Sequence, residues 1–236
     1  MSIPVVRATL DVPFECAFTK ASSMNTLPTY EIPPATTLQG LLYAALGRPS
    51  LLLQGGRQRT LDKSTFDAER EFRDRVQEEC RFGIRILESG TEHTDLRNRH
   101  KKARTEDEYE FGTYVANVES LIGPTYRMYV SGPDSLLDAF ADALEDPERL
   151  LYLGRSDDFV DIHDVDRTTA ERIEEEATVD CAIPGAGENP TMLPVKADTK
   201  VGRQKQPSEV KTVAANGGDV EGFYQTTDGE RIVFIT

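Results

Sequence analysis

The sequence predicts an α+β fold on three patterns. Apolar residues alternate with polar ones near the N-terminus and again after residue 80, two stretches carry apolar residues at helical spacing, and the C-terminal third breaks into short strand-like runs between glycines. Val6, Ala8, Leu10 and Val12 fall on one face of a first strand, 3–12, with Arg7, Thr9 and Asp11 on the other. Residues 14–28 read as a loop carrying Phe18 and Lys20.

The stretch 29–47, TYEIPPATTLQGLLYAALG, holds the clearest helix signals in the chain. Pro33 and Pro34 keep the entry extended, Thr36 and Gln39 have capping-box spacing, and Leu38, Leu41, Leu42, Ala45 and Leu46 form one apolar face. Gly47 suits the residue just past the helix end. Gly40, inside the helix, costs about 1 kcal/mol against alanine. Close approach of a strand or a ligand would explain it, and plain helix–sheet packing is the simpler of the two.

A second helix is predicted over 64–80, where Phe72, Val76 and Cys80 recur every four residues and Ser64 with Asp67 supplies a cap. Arg81 to Glu88 alternates as a strand with Phe82, Ile84 and Ile86 on one face. Strands follow over 111–118 and 126–130, joined through Ile122-Gly123-Pro124. Asp134 then caps a helix burying Leu136, Leu137, Phe140, Ala141 and Leu144, which Pro147 stops.

With Leu150 to Leu153 as a fourth strand, the order becomes βαββαβ, the ferredoxin-like arrangement shared by RRM-like RNA-recognition domains. That domain spans 1–156, with a projecting basic insertion near 89–125. Residues 157–236 are expected to form a small all-β unit. It opens on an acidic stretch, Glu174 to Glu176, read as a solvated face, and ends in strands 209–214, 220–226 and 231–235 turned by Gly217-Gly218 and Asp228-Gly229.

A net charge of −14, from 41 acidic and 27 basic residues, ordinarily argues against a nucleic-acid partner. Arginine outnumbers lysine, tryptophan is absent, and the acids are spread along the chain, a make-up resembling proteins of salt-loving archaea. At molar salt the Debye length falls to about 3 Å, so a diffuse negative surface repels RNA only weakly and a local basic cluster acts by contact. No window is apolar enough to span a membrane and the first residues lack a signal-peptide pattern, so a cytoplasmic protein is expected.

Cys16, Cys80 and Cys181 are too far apart for a metal-ligand spacing and read as buried free thiols. His93, His100 and His163 offer no zinc spacing, and no Walker-type or Gly-x-Gly-x-x-Gly loop occurs, so no cofactor is expected.

Within this acidic chain, LRNRHKKAR at 96–104 stands apart: Arg97, Arg99, His100, Lys101, Lys102 and Arg104, with no acid among them. Two readings stay open. The run is a solvated loop tip balancing Glu106, Asp107, Glu108 and Glu110, or a finger that grips phosphates. Leu151 to Ser156 is a second candidate: Gly154 lets a backbone approach a phosphate, Arg155 can fork two of its oxygens, and Ser156 adds a hydroxyl. Arg155 is taken as an exposed strand-end arginine. Lys196, Lys200, Arg203, Lys205 and Lys211 form a weaker basic patch.

Taken together, TYEIPPATTLQGLLYAALG and RLLYLGRSDDFVDI (149–162) resemble the two signature stretches of CRISPR-associated (Cas) family five, a RAMP subunit of the type I Cascade complex. The acidic composition points to a haloarchaeal member of subtype I-B. The resemblance implies a noncatalytic subunit that caps the 5′ handle of CRISPR RNA (crRNA) using an RRM-like domain and a projecting thumb. It also implies contacts with the Cascade backbone subunit and the large subunit. The thumb would be the insertion around Arg97 to Arg104, with Lys20, Gly154, Arg155 and Ser156 along the handle's path.

The type I-C branch of the same family implies an alternative, metal-independent cleavage of pre-crRNA, for which Tyr43, His100 and Lys101 would be the catalytic group. Such chemistry needs an imidazole or amine within hydrogen-bond reach of the reacting ribose. A protein-only scaffold is the remaining alternative.

Overall fold

The computed structural model describes residues 2–20, 25–49, 51, 61–104, 109–185, 189–198 and 207–236, with the backbone alone at 99–104 and 109–111. The strands and helices run β1 (Ser2–Asp11), β2 (Glu15–Cys16), β3 (Thr26–Leu27), α1 (Ala35–Ala45), α2 (Lys63–Glu79), β4 (Arg81–Glu88), β5 (Thr91–Arg104), β6 (Tyr109–Ile122), β7 (Thr125–Ser131) and α3 (Asp134–Glu145). There follow β8 (Asp161–Val179), β9 (Ile183–Pro184), β10 (Thr191–Ala197), β11 (Pro207–Ala214), β12 (Gly218–Thr226) and β13 (Arg231–Ile232).

The main sheet has the order β13-β12-β8-β1-β7-β4, with every neighbour antiparallel. Val6, Ala8 and Leu10 of β1 are fully buried in one core with Leu38, Leu41 and Leu42 of α1 and Leu137 and Phe140 of α3. The opposite face is covered too. Val5, Tyr129, Ala170 and Ile232 form a separate buried cluster there, because the sheet curls. After β13 the chain returns to the far edge, where the Ile235 amide donates to the Phe82 carbonyl at 2.8 Å. Arg7, on that inner side, pairs with Asp166, Asp228 and Glu230. The first strand is thus central and buried on both faces.

Two further sheets complete the fold: β10-β11-β9, and a layer in which β6 pairs with β5 along one edge and with β2 and β3 on the other.

Several expectations change. Leu150–Leu153 is not the fourth strand. Leu151 and Leu153 are buried, but the segment is one side of a tight turn closed by a single bridge, Tyr152↔Phe159. The place beside β1 belongs to β8, which the sequence presents as a solvated acidic face. Its residues 161–171 pair with β1 and 170–179 with β12, so ladder hydrogen bonds rather than apolar side chains hold it. The sheet therefore runs through the boundary expected at 156/157, and of the strands after it only β9, β10 and β11 stand apart from the sheet.

The caps shift as well. Gln39 is buried and its side-chain amide donates to the Val195 carbonyl at 3.4 Å, so it holds β10 rather than reaching back to Thr36, and Pro34 is the N-cap of α1. Asp62, not Ser64, caps α2, accepting from the Thr65 amide at 2.9 Å. Pro133 precedes α3 as its N-cap, leaving Asp134 in the first turn. Gly47 does sit past α1 with φ +68°, the left-handed conformation its position calls for.

Candidate nucleic-acid interface

The basic run is not a loop tip. It lies in β5, and β5 and β6 pair continuously from Thr91↔Ile122 to Arg104↔Tyr109. At about 3.4 Å per residue the ribbon is roughly 45 Å long. Its base is packed: Ala116, Val118 and Ser120 are buried, while Leu96 and Val115 face solvent. Arg99, His100, Lys101, Lys102 and Arg104 follow outward along β5, their backbones opposite residues 114, 113, 112, 111 and 109. The side chains of these five lie outside the described residues, as do Glu106, Asp107 and Glu108.

Where the ribbon meets the body, Glu15 of β2 joins the two candidate stretches. Its Oε1 accepts from Arg97 Nη2 at 2.9 Å and pairs with Arg155 Nη2 at 3.2 Å, and its Oε2 accepts from the Ser120 hydroxyl at 3.0 Å. Arg97 also donates to Asp95 at 2.8 Å. The Arg97 guanidinium holds the Glu15 carboxyl below its ordinary value of 4.5, with Ser120 and Arg155 acting the same way.

A lowered carboxylate pKa stabilises the fold at pH values above the unfolded pKa and loses that contribution as pH falls through the folded one. The link between ribbon and body is therefore complete at neutral pH and weakens only in acid below the ordinary range. Over about pH 5 to about pH 3, the melting temperature of Glu15→Gln should fall less steeply than that of the wild type, as thermal unfolding would read.

Arg155 departs from the sequence reading. Its side chain is 19% exposed and forks onto Asp158, itself 1% exposed, through Nη2 at 2.7 Å and Nε at 2.9 Å. Asp158 also accepts from the backbone amides of Ala17 and Arg155, each at 2.9 Å. The corner 153–158 is thus locked to the loop after β2 by one buried carboxylate, and the packing of Arg155 is structural.

Gly154 serves the same lock. At φ +115°, a Cβ would lie 2.7 Å from the Ala17 carbonyl oxygen, so the close backbone approach predicted for this glycine is to Ala17. Ser156 is exposed beside it. Lys20 is half-buried, its ammonium 5.3 Å from the Tyr30 ring centroid, a cation–π contact rather than a free charge.

Tyr43 is buried in α1. Its ring meets Phe72 edge-on and carries the Arg73 guanidinium 4.4 Å from its centroid, while burial pushes its hydroxyl pKa up. Glu15 and Asp158, which organise the interface, were missed by the sequence reading. The i, i+3 spacing of Arg155 and Asp158 was visible, but burial alone distinguishes Asp158 from the other acids around it. Among the described residues, no cluster of three or more His, Cys, Asp or Glu has metal-holding geometry, and no helix is long and apolar enough to cross a membrane.

The fold and the ribbon define an α+β protein built on a curled antiparallel sheet, with a long two-stranded ribbon of basic sequence in a separate layer. The family model for CRISPR-associated protein (Cas_Cas5) matches residues 7–227, and the chain belongs to that family. Curated proteins searched by sequence give no match.

Among solved structures, a chain of a CRISPR RNA-guided surveillance complex aligns with a TM-score of 0.56 at 16% identity, over 98% of this chain and 93% of that one. A CRISPR protein from Archaeoglobus fulgidus aligns with a TM-score of 0.51 at 11% identity, over 97% of this chain and 98% of that one. At these identities the likeness is one of fold.

Proposed function

We propose that this chain is the noncatalytic, crRNA-binding subunit of a type I CRISPR surveillance complex, of haloarchaeal subtype I-B, and that it caps the 5′ handle of the guide. The observation that carries this reading is the shared carboxylate of Glu15, which brings the root of the basic ribbon and the Gly154-Arg155-Ser156 corner to one place. One strand of RNA can follow both. Family membership and a fold likeness to a chain of an RNA-guided surveillance complex support it.

We read the four strands β8-β1-β7-β4, with α1 and α3 on one face, as a ferredoxin-like unit. Its other face is filled by the chain's own C-terminal strands. The RNA path in this proposal therefore runs over the sheet edge and the ribbon, not across an open sheet as in RRM domains. A backbone subunit and the large subunit are the proposed protein partners.

Tyr43 supports the noncatalytic reading: a hydroxyl buried and raised in pKa is a poor proton acceptor for the attack of a ribose 2′-oxygen.

Anisotropy with a 3′-labelled handle RNA tests the proposal. Changing Arg97, Lys101 and Lys102 together to Ala should weaken binding at low salt by about ten-fold or more and lower the salt slope by about two. The RNA should be recovered intact. Unchanged affinity would favour the protein-only scaffold, and cleaved RNA the nuclease.

A further inference from the structure

A groove of about 380 Å³ opens beside α1, with Gly154 among its lining residues. Its wall is the helix backbone at Gly40, where an added Cβ would meet nothing within 4 Å. The interior glycine of α1 is therefore not required by packing against any described neighbour. Two buried polar groups at the groove are incompletely satisfied. Tyr43 is 6% exposed and its hydroxyl has no hydrogen-bond partner. Arg73 is 6% exposed, its Nη2 donates to the Pro49 carbonyl at 2.8 Å, and its Nε has no partner.

Among the described residues no carboxylate lies within ion-pair distance of Arg73; Glu69, one helical turn away, pairs with Arg48 at 2.7 Å and acts on Arg73 through space, while burial, the larger effect, lowers the Arg73 pKa. At the rim, Arg149 is exposed and held by the Gly47 carbonyl at 2.6 Å, so its remaining donors are free to turn inward. Beside it stands Tyr152, 44% exposed, bridged to Phe159, 42% exposed, across the tight turn.

Cations inside, a bare helix backbone for a wall and an exposed aromatic ring at the lip match the parts of one nucleotide. From this arrangement we infer that the groove seats a single nucleotide of a single-stranded RNA, its phosphate toward Arg149 and Arg73 and its base stacked on Tyr152. A cavity of this size suits a small ligand of that class. Stacking is indifferent to which base is present, so the groove anchors the strand rather than reading it.

This inference rests on the RNA-binding reading above and adds to it a second contact region, continuous with the first through Gly154. It also gives Gly40 a reason: any side chain there would occupy the nucleotide's place.

The full chain is titrated into a 3′-labelled eight-nucleotide handle RNA at low salt. Tyr152→Ala should lose about five-fold or more in affinity with the salt slope unchanged, and Tyr152→Phe should keep wild-type affinity. Gly40→Leu should lose at least as much while its melting temperature holds or rises, since leucine is the better helix former. Arg167→Ala removes a cation that pairs with Asp134 and Asp138 and does not line the groove, and it should change little.

Tyr152→Ala and Gly40→Leu within about two-fold of a wild type that does bind would overturn the groove and leave the functional reading standing. So would an equal loss in Arg167→Ala, which would mark a general charge effect. A wild type that does not bind the RNA overturns both.

Discussion

Asp158→Ala is expected to destabilise the protein by about 3–5 kcal/mol, because it strands a partly buried guanidinium and two backbone amides at once. For a chain of this length that corresponds to a melting temperature lower by roughly 6–20 °C. The carboxylate is 1% exposed and holds the Ala17 amide, the Arg155 amide and two nitrogens of the Arg155 side chain; Glu15, 3.2 Å from Arg155 Nη2, remains for the guanidinium but does not reach the two amides.

Arg155→Ala should cost less, about 2–3 kcal/mol, since the two amides still satisfy part of the buried carboxylate. The pair should show a coupling of about 1–3 kcal/mol in a double-mutant cycle. An Arg155→Ala protein as stable as the wild type would restore the exposed arginine that the sequence suggests. Any change in RNA binding by Arg155→Ala must accordingly be compared at equal folded fraction, because packing fails at this residue.

How far the sequence disclosed this architecture follows from what each element relies on. The helices were legible because their burial is periodic in the residues themselves: Leu38, Leu41 and Leu42, then Leu136, Leu137 and Phe140, face a single core. β1, β4 and β7 were legible for the same reason at period two. β8 was not, because a strand between two others is fixed by backbone pairing and can carry Glu174, Glu175 and Glu176 outward without penalty. The short apolar run Leu151-Tyr152-Leu153 misled in the opposite direction, being hydrophobic enough for a strand yet committed to a turn by an acid five residues on.

The site divides along the same line. Arg97 and Arg155 were visible as residues, while Glu15, 140 positions before Arg155 and without a motif, became their common partner only through the fold. Gly40 was noticed as anomalous. Tyr152, next to the glycine corner, was passed over because a lone tyrosine in an apolar run reads as core.

The sharpest steric test of the curled sheet is Gly217→Ala at the turn from β11 to β12. Gly217 has φ +76°, a conformation alanine can enter at about 1–2 kcal/mol, so torsion alone predicts a mild effect. Space predicts a severe one: a Cβ there would sit 2.0 Å from the Val179 carbonyl oxygen and 3.0 Å from the Asp180 Cα. Backbone cannot swing aside like a side-chain tip, and Gly218↔Val179 is the first rung of the β12–β8 ladder, so relief requires opening that rung.

The expected cost is above about 3 kcal/mol, or roughly 6 °C or more in melting temperature. Gly229→Ala supplies the control, with φ +93° and nothing within 4 Å of the added carbon, and should show the torsional cost alone. If the two variants melt together, the close approach at Val179 is absent in solution. If Gly217→Ala is far the worse, β12 is pinned to β8 at Val179, and with it the C-terminal strands that close the sheet's inner face.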